Sequence, residues 1–536
     1  MAYQAAGFRS LGAGLNIRDK ADTVSEEEAI DLLNVDFTET GTVKQREGFS
    51  VYSASALAEQ PTSLGAHYES DGTCVLLVGA PNEVYTLSGS GGTLGNNTTG
   101  LTVAASTYPW SFIRYGGPGA EISYMGNGAQ RLISFDGSTF TQAGTGTPKA
   151  GCLAISTGQG GVSSNRLVAA GLISGGEPTG LTAADPSTIW FSDPGLPETW
   201  SANNYLKLTP GDGEAIQAMI SWREFLFVFK ETKYFVFYGE SLDAEGNPIF
   251  NYRTVDTGNG AIGPKAVAKD ETGVYFFSRE GGLMHTTGGD PTHLGEKVNT
   301  LWEGGSADYF LGGEINWTLA SNIAVSAFDE RIYVNYSTGG TTNERTLVYD
   351  THGGWFTLWD VPANDMISFH YATTQKDRLF FTYPAGDNEV GFFNGDTSDK
   401  VAVGGADQAI TSRWRSGWFD YGVPAIKRIR QTKVWGSGKV QSSVSDDFKL
   451  SLGTFVELDL EDPLGTSPTQ WDGSTWGGGS WSGSAGVLQD KIRRRAIRGT
   501  VFSTAFYNEM LDQEWSVHRV EHHLATSRSP AIRDTE

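Results

Sequence analysis

Apolar positions in this chain come in short runs broken by polar turns. The densest case is Ser221 to Gly239, S-W-R-E-F-L-F-V-F-K-E-T-K-Y-F-V-F-Y-G. Two five-residue runs, Phe225–Phe229 and Tyr234–Tyr238, flank the polar break Lys230-Glu231-Thr232-Lys233. Both are aromatic and β-branched, which is strand length and strand chemistry. A helix holding so many aromatics would leave many of them in water. The break is short enough for a hairpin, although it lacks the Asn-Gly turn signal. Apolarity at nearly every position predicts a sheet covered by protein on both faces.

The pattern recurs from about residue 60 to residue 400. Leading strands begin near Val75, Ile122, Arg166, Glu224, Gly273, Arg331 and Arg378, at gaps of 47, 44, 58, 49, 58 and 47 residues. Most have a partner after a Gly-rich turn, as at Gly281-Gly282-Leu283-Met284. A four-stranded sheet every ~40–50 residues is the period of a propeller blade. The fold class is therefore all-β, with a β-propeller-like domain of six or seven blades over 56–405; tandem β-sandwiches are the alternative.

The flanks differ. Residues 1–55 read as an N-terminal arm with one short helix, because Ser25 and Glu28 have capping-box spacing ahead of Ala29-Ile30-Asp31-Leu32-Leu33. Val35-Asp36-Phe37 and Val43 to Phe49 follow as strand, turn and strand, an arm suited to pairing with a sheet edge. Residues 406–536 read as a C-terminal β-rich module. In it, Ile426 to Trp435 alternates basic and apolar, a half-buried strand, and 471–486 is a Gly/Trp/Ser loop.

At 536 residues the chain is too long for one ordinary core. Its formal net charge of −23 argues against a general nucleic-acid-binding surface. The charge is uneven: the first 410 residues hold 23 basic and 47 acidic side chains, the remainder 16 and 15. Two cysteines, Cys74 and Cys152, provide no disulfide framework. The first residues have no signal-peptide core and no run reaches membrane-spanning length, so folding in a cytoplasm is expected.

No catalytic set emerges. His518-Arg519-Val520-Glu521-His522 matches a zinc-protease pattern, but that chemistry needs a helix. Here His518, Val520, His522 and Leu524 alternate as in a strand. Phe191-Ser192-Asp193-Pro194-Gly195 is close to an Asp-box turn, which marks a blade corner rather than a reaction centre. Asp446-Asp447 and Glu461-Asp462 are paired acids of the kind glycoside hydrolysis uses, and solvated loops explain them better. Asp243 to Asn247 lacks the alternating acids of a calcium loop. The expectation is no enzyme, no cofactor and no metal.

Three ordered segments resemble one family. Gly14-Leu15-Asn16 with Leu33-Asn34-Val35-Asp36-Phe37, Gly41, Arg46 and Gly48-Phe49 resembles the opening of tail-nozzle proteins of short-tailed bacteriophages, also called tail tubular or packaged-DNA stabilisation proteins. Ser221-Trp222-Arg223 with Leu226 to Lys230 resembles their central propeller strand. Ser416 to Asp420 with Lys427-Arg428 resembles the start of their C-terminal module. The resemblance implies a virion protein assembled in the host cytoplasm as a ring, usually of six copies. The ring sits below the portal and its head-to-tail adaptor, carries tail fibres or spikes, and extends and closes the channel for transiting double-stranded DNA. An acidic lumen would let phosphates slide. Leu32, Asn34, Val35 and Phe37 are the expected docking residues of the arm on a neighbouring subunit, with Arg46 pairing a neighbour's carboxylate, so deleting 1–50 should leave a folded propeller that does not assemble. Two other readings stay open: a receptor-binding adhesin using Trp471, Trp476 and Trp481, which could stack on sugars, and a glycan-degrading propeller enzyme.

Overall fold

Each of the seven leading strands is the second strand of a four-stranded antiparallel sheet. The structure is a computed structural model. It describes the chain apart from residues 1–3, 90, 99–100, 102, 105, 107, 118–119, 158–164, 172–184, 243–247, 306–309, 372–375, 384–387, 423–424, 450–454, 461–488 and 527–536. The first strands of the seven sheets are Ser63–Tyr68, Ser111–Gly117, Cys152–Ser156, Ala218–Trp222, Val267–Lys269, Ala324–Phe328 and Met366–Tyr371. They touch in ring order, and the seventh returns to the first. The domain is a seven-bladed β-propeller.

Packing between blades explains the apolar runs. In blade 4, Leu226, Val228, Phe235 and Phe237 pack on Ala154, Val168 and Phe191 of blade 3. The alternate residues Phe227, Phe229, Tyr234 and Val236 pack on Val274 and Phe276 of blade 5. Every position of a middle strand thus meets one neighbour or the other, and each large side chain buried contributes about 1.5–3 kcal/mol. Outer strands escape this demand: Tyr205–Lys207 of blade 3 is largely exposed.

The seventh blade takes its outer strand from the far end of the chain. Phe49–Val51 pairs antiparallel with Val390–Phe393, with Phe49 opposite Phe393. The Phe49 ring meets Phe381 edge-on at 5.0 Å. A long-range pairing therefore closes the ring of blades.

Beyond the propeller, the strand Lys427–Asp446 runs through two sheets. Its first half lies between Gln489–Gly499 and Trp515–Thr526, and its second half between Val456–Asp459 and Phe502–Asn508. The crossover uses Gly438, whose φ of 76° and closeness to the Glu514 carbonyl leave no room for a side chain.

The arm is not a free unit, which corrects two expectations. Gln4–Phe8 pairs with Trp515–Thr526, Ala29–Leu33 with Ser412–Ser416, and Val43–Gln45 with both Val35–Phe37 and the Trp515–Thr526 strand. The arm therefore completes the C-terminal sheets and the propeller of its own chain. Its removal would take strands from both, so the expected result of deleting 1–50 becomes a damaged propeller rather than an intact one. The expected helix is also absent. Ser25 and Glu28 do make reciprocal bonds, Ser25 N to Glu28 Oε2 at 3.0 Å and Glu28 N to Ser25 O at 3.1 Å. They close only a turn. Ala29–Leu33 is buried at all five positions, which a strand between two layers permits and a one-faced surface helix does not.

Candidate functional site

The residues singled out in the arm converge on one junction. Gly14, at φ 82° and against Trp355 and Phe356, lets Leu15 N donate to Phe356 O at 2.9 Å while its own carbonyl accepts from Ala29 N at 2.8 Å. The arm is thereby stitched between blade 6 and the C-terminal module. Leu32 and Val35 are fully buried, and Leu32 lies opposite Trp414. The Phe37 ring meets Trp355 edge-on at 5.0 Å, and the Val35 carbonyl accepts from Thr357 Oγ1 at 2.6 Å and Trp359 Nε1 at 3.2 Å.

Asn34 and Arg46 form the polar centre. Asn34 holds φ at 52°, a conformation asparagine tolerates better than most residues. Its amide donates to Asp360 Oδ1 at 2.5 Å and Thr411 O at 2.8 Å, while its Oδ1 accepts from Asp360 N at 3.0 Å and Arg46 Nε at 2.9 Å. The Arg46 guanidinium is clamped bidentately by Asp399, at 2.9 and 2.5 Å, and donates also to Glu47 O at 2.9 Å. Asp360 stands 3.5 Å away. Burial pulls the Arg46 pKa down, but Asp399 and Asp360 outweigh it and hold it above its ordinary value. The expectation that Arg46 seeks a neighbour's carboxylate is corrected: its partners are in its own chain. Asp360 and Asp399 were invisible as partners because more than 300 residues separate them from the arm.

Two recesses lie at opposite ends of the blades. At the end where first strands begin, a cavity of about 490 Å³ is lined by Tyr108, Trp110, Gln217, Lys265, Asn322 and Asn364 among others. Lys265 crosses it, donating to the Thr62 carbonyl and standing 3.2 Å from Asp365 Oδ2. Burial lowers its pKa against the pull of Asp365. This cross-axis tie joins blade 5 to blades 1 and 7 over the cavity. At the opposite end, a groove of about 1010 Å³ runs along blades 5, 6 and 7. Its lining is of mixed charge, with Glu47, Asp270, Glu271, Asp329, Glu330 and Asp377 beside Lys269, Arg331, Lys376 and Arg378.

The other candidate motifs are structural. His518 to His522 lies within the strand Trp515–Thr526. His522 is buried, with Thr432 Oγ1 at 2.9 Å and Thr504 Oγ1 at 3.0 Å from its ring nitrogens. Asp193 accepts from Ser201 Oγ at 2.9 Å and Asn204 Nδ2 at 2.5 Å, building the corner of blade 3. Burial pushes the Cys152 thiol up to about 12, leaving it inert. Trp471, Trp476, Trp481, Glu461-Asp462 and the Asp243–Asn247 loop lie outside the described residues. Among the described residues, no group of three or more His, Cys, Asp and Glu gathers as a metal site. No described helix is long and apolar enough to cross a membrane.

No family model matches the sequence, and no curated protein matches it. Among solved structures, the chain is similar to BBS1N in its complex with ARL6DN. The lead-soaked crystal gives a TM-score of 0.40 at 8% identity, covering 65% of this chain and 98% of that one. The mercury-soaked crystal gives 0.37 at 9%, covering 63% and 94%. Likeness at this level carries no argument about function, and the blade count rests on the strand pairing within this chain.

Proposed function

We propose that the chain is a structural virion protein of a bacteriophage tail, one subunit of a nozzle ring that extends and closes the DNA-ejection channel below portal and adaptor. The observation that carries this reading is the meeting of the three resembling segments. The arm around Gly14 to Phe49, blade 4 from Ser221 to Lys230 and the module start at Ser416 to Lys427 sit in sequence-distant parts of the chain. The arm nevertheless joins propeller and module through one continuous core, in which Leu32, Trp222, Phe227 and Trp414 all take part. A shared joint of this kind suits a wall-building subunit. The acidic balance of arm and propeller, 47 acidic against 23 basic side chains up to residue 410, suits a passage that must not hold phosphates.

The cross-axis tie at Lys265 has a further consequence for this reading. The channel for duplex DNA runs between subunits, six in the usual ring, and not along a propeller axis. Adaptor proteins would meet one end of the ring and tail fibres or spikes its outside. The test is an electron-microscopy reconstruction of the native particle. A closed ring on the tail axis supports the nozzle. Peripheral copies pointing away from the axis overturn it, and would favour an adhesin built around Trp471, Trp476 and Trp481.

A further inference from the structure

The cavity of about 490 Å³, at the end where first strands begin, is assembled from the same place in blade after blade. Thr62, Trp110 and Gln217 each stand one residue ahead of the first strand of blades 1, 2 and 4. Lys265, Asn322 and Asn364 stand two residues ahead of it in blades 5, 6 and 7. Blade 3 has Gly151 at this place, immediately before Cys152–Ser156. Closing the ring of blades therefore gathers six side chains, spread from position 62 to position 364, around one recess. Pro109 and Pro264 precede Trp110 and Lys265 and restrict the backbone that presents them.

The lining departs from the charge balance of the chain. Residues up to 410 hold 47 acidic side chains, yet among the described residues no carboxylate lines the cavity and Lys265 is its one charged side chain. Lys265 is already held, by the Thr62 carbonyl and by Asp365 Oδ2 at 3.2 Å. A bound anion would compete with Asp365 for it, and a bound cation would meet it with no lining carboxylate in return. The electrostatics therefore favour a neutral ligand. What the cavity offers such a ligand is amide and hydroxyl: the side chains of Gln217, Asn322, Thr341 and Thr342 make no hydrogen bond among the described residues. An amide presents two donors and an acceptor, and a hydroxyl presents both. Two rings complete the lining. The Trp110 indole N–H is taken by the Ala80 carbonyl at 2.7 Å, so Trp110 gives the cavity only its apolar surface. Tyr108 is 41% exposed and meets no other ring among the described residues, so packing does not account for it. It lies over Gly151, where an added Cβ would stand 3.4 Å from Tyr108 Cδ1, and a larger side chain in blade 3 would displace it.

We propose that this cavity binds a neutral saccharide of one or two rings. A pyranose carries hydroxyls that both donate and accept around its edge, and C–H groups on its faces. Amides and hydroxyls match the first, and an aromatic ring covers the second. The volume lies inside the range of about 300–1,000 Å³ usual for small-molecule sites. Tyr108 covers a sugar face at the mouth, while Asn322 and Gln217 bond its hydroxyls from blades 6 and 4. The proposal is one of binding and not of glycoside cleavage, since among the described residues no pair of carboxylates lines the cavity. It uses the propeller of a single chain and stands apart from the nozzle reading.

Isothermal titration calorimetry and saturation-transfer difference NMR on the purified full chain test this. The probes are glucose, galactose, mannose, N-acetylglucosamine, maltose, lactose and cellobiose, with glucuronic acid and glucose 6-phosphate as charged counterparts, each at up to about 20 mM. At least one neutral sugar should saturate, with a Kd on the order of 1 mM or tighter. Tyr108→Ala should weaken its binding about tenfold, and Asn322→Ala about three- to tenfold. Both side chains are exposed, so each variant should keep the wild-type circular dichroism and melting curve. Tyr205→Ala, which removes an exposed tyrosine of blade 3 that does not line the cavity, should bind as the wild type does. Failure of every neutral probe to saturate overturns the proposal, as does wild-type affinity in either cavity variant. Tighter binding of glucuronic acid or glucose 6-phosphate than of glucose reassigns the cavity to an anion on Lys265 and overturns the neutral reading. None of these outcomes bears on the nozzle, which the reconstruction of the native particle judges.

Discussion

Arg46 is the most informative residue to perturb, because its neighbourhood separates two opposed effects. Replacing it with Met keeps most of the volume and adds apolar surface to a site where the side chain is 1% exposed. That gain is small beside what is lost. Asp399, itself only 11% exposed, is left as a buried carboxylate without its bidentate partner. Asn34 Oδ1 loses one of its two donors, and the Glu47 carbonyl loses its guanidinium. Breaking a buried pair from one side costs about 3–5 kcal/mol, mostly as the penalty on the stranded charge. Urea denaturation followed by tryptophan fluorescence should show a loss of that size for Arg46→Met. Adding Asp399→Asn should restore about 1–3 kcal/mol of it, since an amide is cheaper to strand than a carboxylate. Arg46→Lys should fall between, keeping the charge but not the fork. A loss under about 1 kcal/mol for Arg46→Met, or no rescue in the double variant, would refute the account of this junction as a self-contained buried pair.

Two further outcomes follow from the same packing. Deletion of residues 1–50 should yield an aggregating or partly unfolded chain. Phe49→Ala alone should cost about 3–5 kcal/mol by opening the seam of blade 7; a soluble, cooperatively melting truncated propeller would contradict this. Asp212 lies 2.8 Å from Lys230, whose side chain is fully buried, and also accepts from Thr209 Oγ1 at 2.7 Å. Burial alone would raise its pKa, but Lys230 and Thr209 depress it well below the usual carboxylate range. A depressed folded-state pKa stabilises fully above the unfolded value near 4, and that contribution disappears as pH falls below it. Wild-type stability should therefore decline more steeply than that of Asp212→Asn between about pH 4 and pH 2, with the variant weaker by about 3–5 kcal/mol at pH 7. Parallel pH profiles would remove Asp212 from the account.

The sequence by itself determined the repeating unit. Middle strands such as Phe225–Phe229 and Arg331–Tyr336 lie between two blades, so burial on both faces writes an apolar run that needs no partner to be read. The first and outer strands are shorter or half exposed, which is why the leading strand of each blade, in most cases with its partner after a Gly-rich turn, stood out and sufficed to place all seven. The strand character of His518 to Leu524 was legible for a similar reason, since alternation is local. The destination of the arm was not. Phe49 finds Phe393, Asn34 finds Asp360 and Arg46 finds Asp399 across more than 300 residues, and nothing in the spacing of either segment names the other. The Ser25–Glu28 pattern shows the same limit on a small scale. Its two hydrogen bonds are satisfied equally by a helix start or a turn, and pairing with Ser412–Ser416 decided between them. Likewise the basic run Lys427 to Lys433 was visible in the chain, but only the sheet set Arg498 opposite Arg428. Local chemistry wrote the blades, whereas long-range pairing, whose cost is loop-closure entropy and whose return is burial, decided where the ends of the chain belong.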